Sequence, residues 1–95
     1  MDSEQYIFDS LHEECGVVGI AMDKQSDVAA SAYFALYALQ HRGQQSAGIA
    51  VNDDGVIKAH CDEGLVNDVF NENILAELGT GRMAIGHVRY STTGY

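Results

Sequence analysis

The sequence contains no proline, and no internal repeat, low-complexity tract or linker divides it. Bases are scarce. Lys24, Arg42, Lys58, Arg82 and Arg89 stand against 14 acids, for a formal charge of −9. They are scattered along the chain, which removes the electrostatic basis for binding nucleic acid or an acidic membrane surface. No apolar run approaches the roughly 20 residues that a membrane-spanning helix needs. The first fourteen residues hold Asp2, Glu4, Asp9, Glu13 and Glu14 but no Lys or Arg. They lack the basic n-region and apolar h-region of a secretory signal, and the Arg-rich, acid-poor character of a mitochondrial transit peptide. The two cysteines, Cys15 and Cys61, fit no metal spacing and give no disulfide framework. Both are expected as reduced thiols. These absences predict a cytoplasmic protein with neither nucleic-acid nor membrane partners.

What is present is a short chain with enough apolar content for a core. Its 95 residues are at the low end for one domain, and 46% of them are hydrophobic, too many for a disordered chain. The ending "GHVRYSTTGY" runs from a strand-like segment into a hydroxyl-rich loop without a closing element. That pattern predicts the front part of a larger domain.

The periodicity predicts β-α-β-β-α-β. "CGVVGIAM" (15–22) is a short apolar run suited to a buried strand. Ser26 or Asp27 is a candidate N-cap for a helix over 28–42, where Val28, Ala32, Ala35, Leu36 and Leu39 share one face. Arg42-Gly43 supplies a basic last turn and a glycine stop. "SAGIAV" (46–51) and "VIKAHC" (56–61) read as a hairpin around "NDDG". Residues 66–78 read as helical, in one piece or two, with Asn71 or Asn73 as an internal cap. "MAIGHVRY" (83–90) is the last strand. The order suits a layered α+β sheet protein.

Three stretches carry side chains that bear chemistry. Cys15 sits on the seam between the acidic leader and the first strand. A lone cysteine there is ordinarily a small buried hydrophobe; the alternative is a nucleophile. A free thiol has a pKa of about 8.5 and needs a base to become thiolate near neutral pH. One base requires no partner residue: the cysteine's own α-amine, available only if the chain begins at Cys15. In "LQHRGQQSAGI" (39–49), a helix end and a turn explain Leu39, Gly43, Ala47 and Ile49. They leave Gln40, His41, Arg42, Gln44 and Gln45 unexplained, either as holders of a site's geometry or as a solvated loop. In "GHVRYSTTG" (86–94), Arg89 suits bidentate carboxylate recognition, with Thr92 or Thr93 as a hydroxyl contact. A surface arginine before a Thr-rich loop is the plainer reading. His87 reads as structural, and His60 and Cys61 have no partner spacing for a metal.

In their order, "CGVVGI", "LQHRGQQSAGI" and "GHVRYSTTG" resemble the class II glutamine amidotransferases from Cys15 to the last residue. "QHRGQ" and "HVRY" favour the branch whose ammonia acceptor is phosphoribosylpyrophosphate over the glucosamine-6-phosphate synthases. The resemblance implies an N-terminal nucleophile hydrolase fold, an α+β architecture of αββα layers with stacked antiparallel sheets, present here as its N-terminal part over 15–95. It implies that residues 1–14 are a propeptide cut between Glu14 and Cys15. It further implies Cys15 as the nucleophile, Arg89 and Thr92 as ligands of the substrate glutamine, Arg42 as support for the nucleophile, and Tyr90 as a loop residue linked to closure. The implied reaction gives 5-phosphoribosylamine for purine synthesis.

By the same resemblance, the oxyanion-hole pair, the group that binds the substrate amine and the phosphoribosyltransferase domain lie downstream of residue 95. No cofactor is expected in this stretch. Mg2+, and in some members a 4Fe–4S cluster, belong to the longer enzyme, which is expected to be a homo-oligomer. The 95 residues alone are expected to be inactive, and with the Glu14–Cys15 bond intact they read as a precursor form. Two other readings stay open: an amidotransferase with a different acceptor, and a regulatory domain that keeps the fold without the chemistry.

Overall fold

A computed structural model of the chain describes residues 15–40 and 44–90. Four strands, β1 (Cys15–Ser26), β2 (Gln44–Asp53), β3 (Val56–Glu63) and β4 (Gly81–Tyr90), form one antiparallel sheet in the order β1-β4-β2-β3. The last strand therefore lies inside the sheet, between the first and the second. Three helices accompany it: α1 (Val28–Leu39), α2 (Val66–Val69) and α3 (Glu72–Leu78).

Alternation along β4 decides which way each side chain faces. Ala84, Gly86, Val88 and Tyr90 are buried, while Met83, Ile85, His87 and Arg89 are exposed. Successive strand residues point to opposite faces, so the even-numbered set meets the helices and the odd-numbered set looks out from the bare face. On the helix side, Val28, Ala29, Ala32 and Leu36 of α1 pack with Ala47, Ile49 and Val51 of β2 and Val88 of β4. Leu36 is fully buried, which stabilises by about 1.5–3 kcal/mol relative to an exposed leucine. Gly86 lets the helix come this close. A Cβ there would lie 3.0 Å from Leu36 Cδ1 and 3.1 Å from Leu36 Cγ.

The local signals resolve as follows. Asp27 is the N-cap of α1, its side chain accepting from the Ala30 N–H at 3.2 Å. Asn71 is the cap of α3, accepting from the Ile74 N–H at 2.9 Å. The β2–β3 hairpin closes on Asp54-Gly55, with φ of 52° and 92°. Both are left-handed, as a two-residue turn matched to strand twist requires. The predicted helix over 28–42 ends earlier, at Leu39, where Gln40 turns extended. Two contacts account for the stop: the Tyr90 hydroxyl donates to the Leu39 carbonyl, and the Gln40 side chain accepts from the Val66 N–H. The predicted Arg42-Gly43 stop lies outside the described residues. Strand β1 runs four residues past its predicted end, through a register shift between Ala21 and Ser26.

The bare face is not the polar surface usual for an antiparallel sheet packed on one side only. Val17, Ile57, Met83 and Ile85 all project there and are more than half exposed.

Candidate active site

Strand pairing brings the start of β1 and the end of β4 together. Cys15 is the cross-strand partner of Arg89, and Arg89 is in turn the partner of Ser46 on β2. Directly opposed residues project to the same face, with Cβ atoms about 4.5–5.5 Å apart. The thiol and the guanidinium thus stand side by side at one end of the bare face. Cys15 is a free thiol, half-buried, and Arg89 is exposed. A soft nucleophile beside a fixed cation suits an electrophilic substrate that carries a carboxylate.

Tyr90 lies directly behind this pair. It faces the helix layer, is buried, and donates its hydroxyl hydrogen to the Leu39 carbonyl at the end of α1. Burial pushes the Tyr90 phenol above its ordinary 10.0, and the charge of Cys15 pushes in the same direction. Gly16 makes room for the arrangement. A Cβ on it would meet Val88 Cγ2 at 3.1 Å, Leu39 Cδ1 at 3.2 Å and the Tyr90 hydroxyl at 3.6 Å.

One turn of chain further, the glutamines of "LQHRGQQ" find their work. Gln44 is buried, with 7% of its surface exposed. Its Nε2 donates to the Ser46 carbonyl at 2.8 Å and the Gly64 carbonyl at 2.7 Å, and its Oε1 accepts from the Val66 N–H at 3.2 Å. The same Val66 N–H is shared with Gln40 Oε1 at 2.7 Å. The Gln45 carbonyl accepts from the Gly64 N–H at 2.8 Å. Of the two readings open for this cluster, a solvated loop does not hold for Gln40 and Gln44. The signal that pointed to them was polar density between apolar elements; the one it did not carry was a β-bulge. Gln44 pairs with Tyr90 and Ser46 with Arg89, so the register shifts between them. Strict alternation from Ala47, Ile49 and Val51 puts residue 45 inward; the bulge puts Gln44 there and leaves Gln45 exposed.

His87, two residues before Arg89, lies over Gly48. A Cβ on Gly48 would come within 2.5 Å of His87 Nε2 and 2.8 Å of Cys61 Cβ. The imidazole occupies the space that a side chain on β2 would fill, in line with a structural role. Among the described residues, no group of three or more His, Cys, Asp or Glu is placed to hold a metal ion. No helix among them is long and apolar enough to cross a membrane. Of the site residues named from sequence, Cys15, Arg89 and Tyr90 converge. Glu14, Arg42 and Thr92 lie outside the described residues.

No family model matches the chain. Individual proteins do. The chain is 55% identical over 85 residues to amidophosphoribosyltransferase of Methanothermobacter thermautotrophicus, a match covering 88% of this chain and 18% of that protein. It is 54% identical over 85 residues to the amidophosphoribosyltransferase of Mycobacterium bovis, covering 90% of this chain and 16% of the relative. Among solved structures, glutamine phosphoribosylpyrophosphate amidotransferase from B. subtilis superposes with a TM-score of 0.66 at 40% identity, over 81% of this chain and 16% of that one. The chain thus spans less than a fifth of the length of the proteins it matches. Over that stretch they are its homologues, and the sheet and helix layer carry their N-terminal nucleophile hydrolase fold.

Proposed function

We propose that this chain is the glutamine-hydrolysing part of an amidophosphoribosyltransferase. In this reading residues 15–95 form the front of a class II glutamine amidotransferase domain, and residues 1–14 are a leader removed by a cut between Glu14 and Cys15. The observation that carries the reading is the pairing of Cys15 with Arg89 on the bare face of the sheet. The apolar side chains on that face support it too, since they suit a sheet covered on both sides in a larger layered domain.

The chemistry follows from the two side chains. Arg89 holds the α-carboxylate of glutamine through its guanidinium fork, which presents the side-chain amide to Cys15. Once the leader is cut, the Cys15 α-amine, with an ordinary pKa of about 7.7–8.0, is a base matched to neutral pH. It takes the thiol proton while sulfur bonds to the amide carbon, then passes that proton to the nitrogen. The C–N bond breaks, ammonia leaves and a thioester remains. Water adds to the thioester, the C–S bond breaks, glutamate departs and the sulfur recovers a proton. Thr92 serves as a second contact to glutamine and Arg42 as a support for the nucleophile. Tyr90, behind the pair, ties the strand of Arg89 to α1. The ammonia is passed to phosphoribosylpyrophosphate, giving 5-phosphoribosylamine, the opening step of purine synthesis.

The test uses the full-length enzyme. Its intact mass should begin at Cys15, and a glutamine-analogue electrophile should label that residue. Cys15→Ser should abolish product formation from glutamine while leaving product formation from added ammonia. An active enzyme with its leader uncut and Cys15 unlabelled refutes the reading. Glutaminase activity from the 95 residues alone refutes the further expectation that they are incomplete as a catalyst.

A further inference from the structure

The geometry points to Gln44 as a positioning residue for glutamine binding, acting through the β-bulge that it holds against Arg89. The inference rests on the reading of Arg89 as the carboxylate ligand, and deepens it.

Three observations carry it. The first is burial combined with use of both ends of the amide. Gln44 donates twice and accepts once, and all three partners are backbone groups. A buried side chain so engaged fixes the backbone around it: losing it takes their amide donor from the Ser46 and Gly64 carbonyls and leaves the Val66 N–H to Gln40 alone. The second is where those partners lie. The Ser46 carbonyl belongs to the residue opposite Arg89, and the Gly64 carbonyl and Val66 N–H belong to the corner between β3 and α2. One side chain thus spans the irregular start of β2 and the corner that flanks it. The third is the bulge itself. It seats Gln44 opposite Tyr90 and Ser46 opposite Arg89, so it sets local twist where β4 delivers Arg89 to the bare face and Tyr90 to the helix face. Bulges beside active sites commonly serve to re-aim a side chain. Here the bulge lies on β2 directly against Arg89 of β4, and the device holding it is Gln44.

Removing the amide should therefore loosen the direction of Arg89 without touching its charge or the thiol. A small misplacement of a substrate-orienting group weakens productive binding far more than it weakens the fold. In the full-length enzyme, Gln44→Met keeps length and apolar volume but makes none of the three bonds. Gln44→Glu keeps an acceptor and loses at least one of the two donors. Both are expected to raise the KM for glutamine by about tenfold or more, with the rate from added ammonia held within about twofold of wild type. Gln25→Met is the control. It removes a hydrogen-bonded glutamine at the opposite end of the sheet, where Gln25 donates to Asp53 and Thr80, and should leave the KM for glutamine unchanged. Arg89→Lys separates the two levels of the argument. If it leaves the KM unchanged, the reading of Arg89 fails and takes this inference with it. If it raises the KM while both folded Gln44 variants do not, the inference alone is overturned. Glutamine and ammonia rates that fall together, or failure of both variants to fold, make Gln44 a structural residue only and likewise overturn it.

Discussion

Replacing Gly86 by alanine is expected to push α1 away from the sheet, and its size can be worked from the contacts around the new methyl. The φ of Gly86 is not left-handed, so alanine brings no backbone strain and, by restricting the unfolded chain, gains about 0.5–1 kcal/mol. Against that, the methyl would stand 3.0 Å from Leu36 Cδ1, 3.1 Å from Leu36 Cγ and 3.1 Å from Val18 Cγ2. Leu36 is fully buried and has nowhere to retreat. Overpacking of this kind costs about 1–3 kcal/mol, so the net effect is a destabilisation of about 1 kcal/mol. Leu36→Ala alone should cost about 2–5 kcal/mol by opening a cavity at the same place. In the double variant, the alanine methyl at 86 enters the space that Leu36 vacates. The two costs should then fall short of their sum by about 1 kcal/mol or more. Hydrogen exchange of the β4 amides in the full-length protein reads this free energy locally. A Gly86→Ala protein more protected than wild type, or strictly additive costs, would refute the claim that this glycine sets the helix–sheet distance.

Three further outcomes are expected. Tyr90→Phe removes the bond to the Leu39 carbonyl and should cost about 1 kcal/mol. Because the folded phenol titrates above 10.0, its contribution is intact below that pH and is lost as pH rises through the folded value. The alkaline fall in wild-type stability should therefore flatten in the phenylalanine variant, as followed by unfolding across the alkaline range. Gly55→Ala places a side chain at a φ of 92° and should cost about 1 kcal/mol or more, seen as faster amide exchange across the β2–β3 pair. Asn71→Ala should cost about 1 kcal/mol by uncapping α3, with lost protection concentrated at the Ile74 amide; unchanged exchange there would mean the cap is idle.

The pattern of elements was legible because each carries its own period. Alanine-rich 28–39 could hardly be anything but a helix, and Asp54-Gly55 between two apolar runs announced its turn. Boundaries set by distant partners were not legible. The basic turn and glycine at 42–43 outline a longer helix, but α1 stops at Leu39 because Tyr90 and Val66 capture its last turn from elsewhere in the chain. The exposed "DKQS" segment extends β1 because Ser26 finds Gly81, which no local composition signals. The same holds for the site. Cys15 and Arg89 each had a plain explanation when read alone, and only the insertion of β4 between β1 and β2 puts them face to face. Gln44 was visible as an oddity, but its role needed the bulge, a one-residue departure from the alternation on which the strand reading depends.

Strand β4 also imposes a rule of parity on this protein's relatives. Arg89 and Tyr90 are consecutive, yet one serves the bare face and the other the helix layer. They are the front and the back of a wall one residue thick. A single insertion or deletion between Ile85 and Arg89 would turn the guanidinium into the core and the phenol toward the thiol, inverting both at once. A change of two residues would preserve the facing of each. Length variation in this strand should therefore come in even steps, or be absorbed by a new bulge, wherever the arginine–tyrosine pair keeps its work.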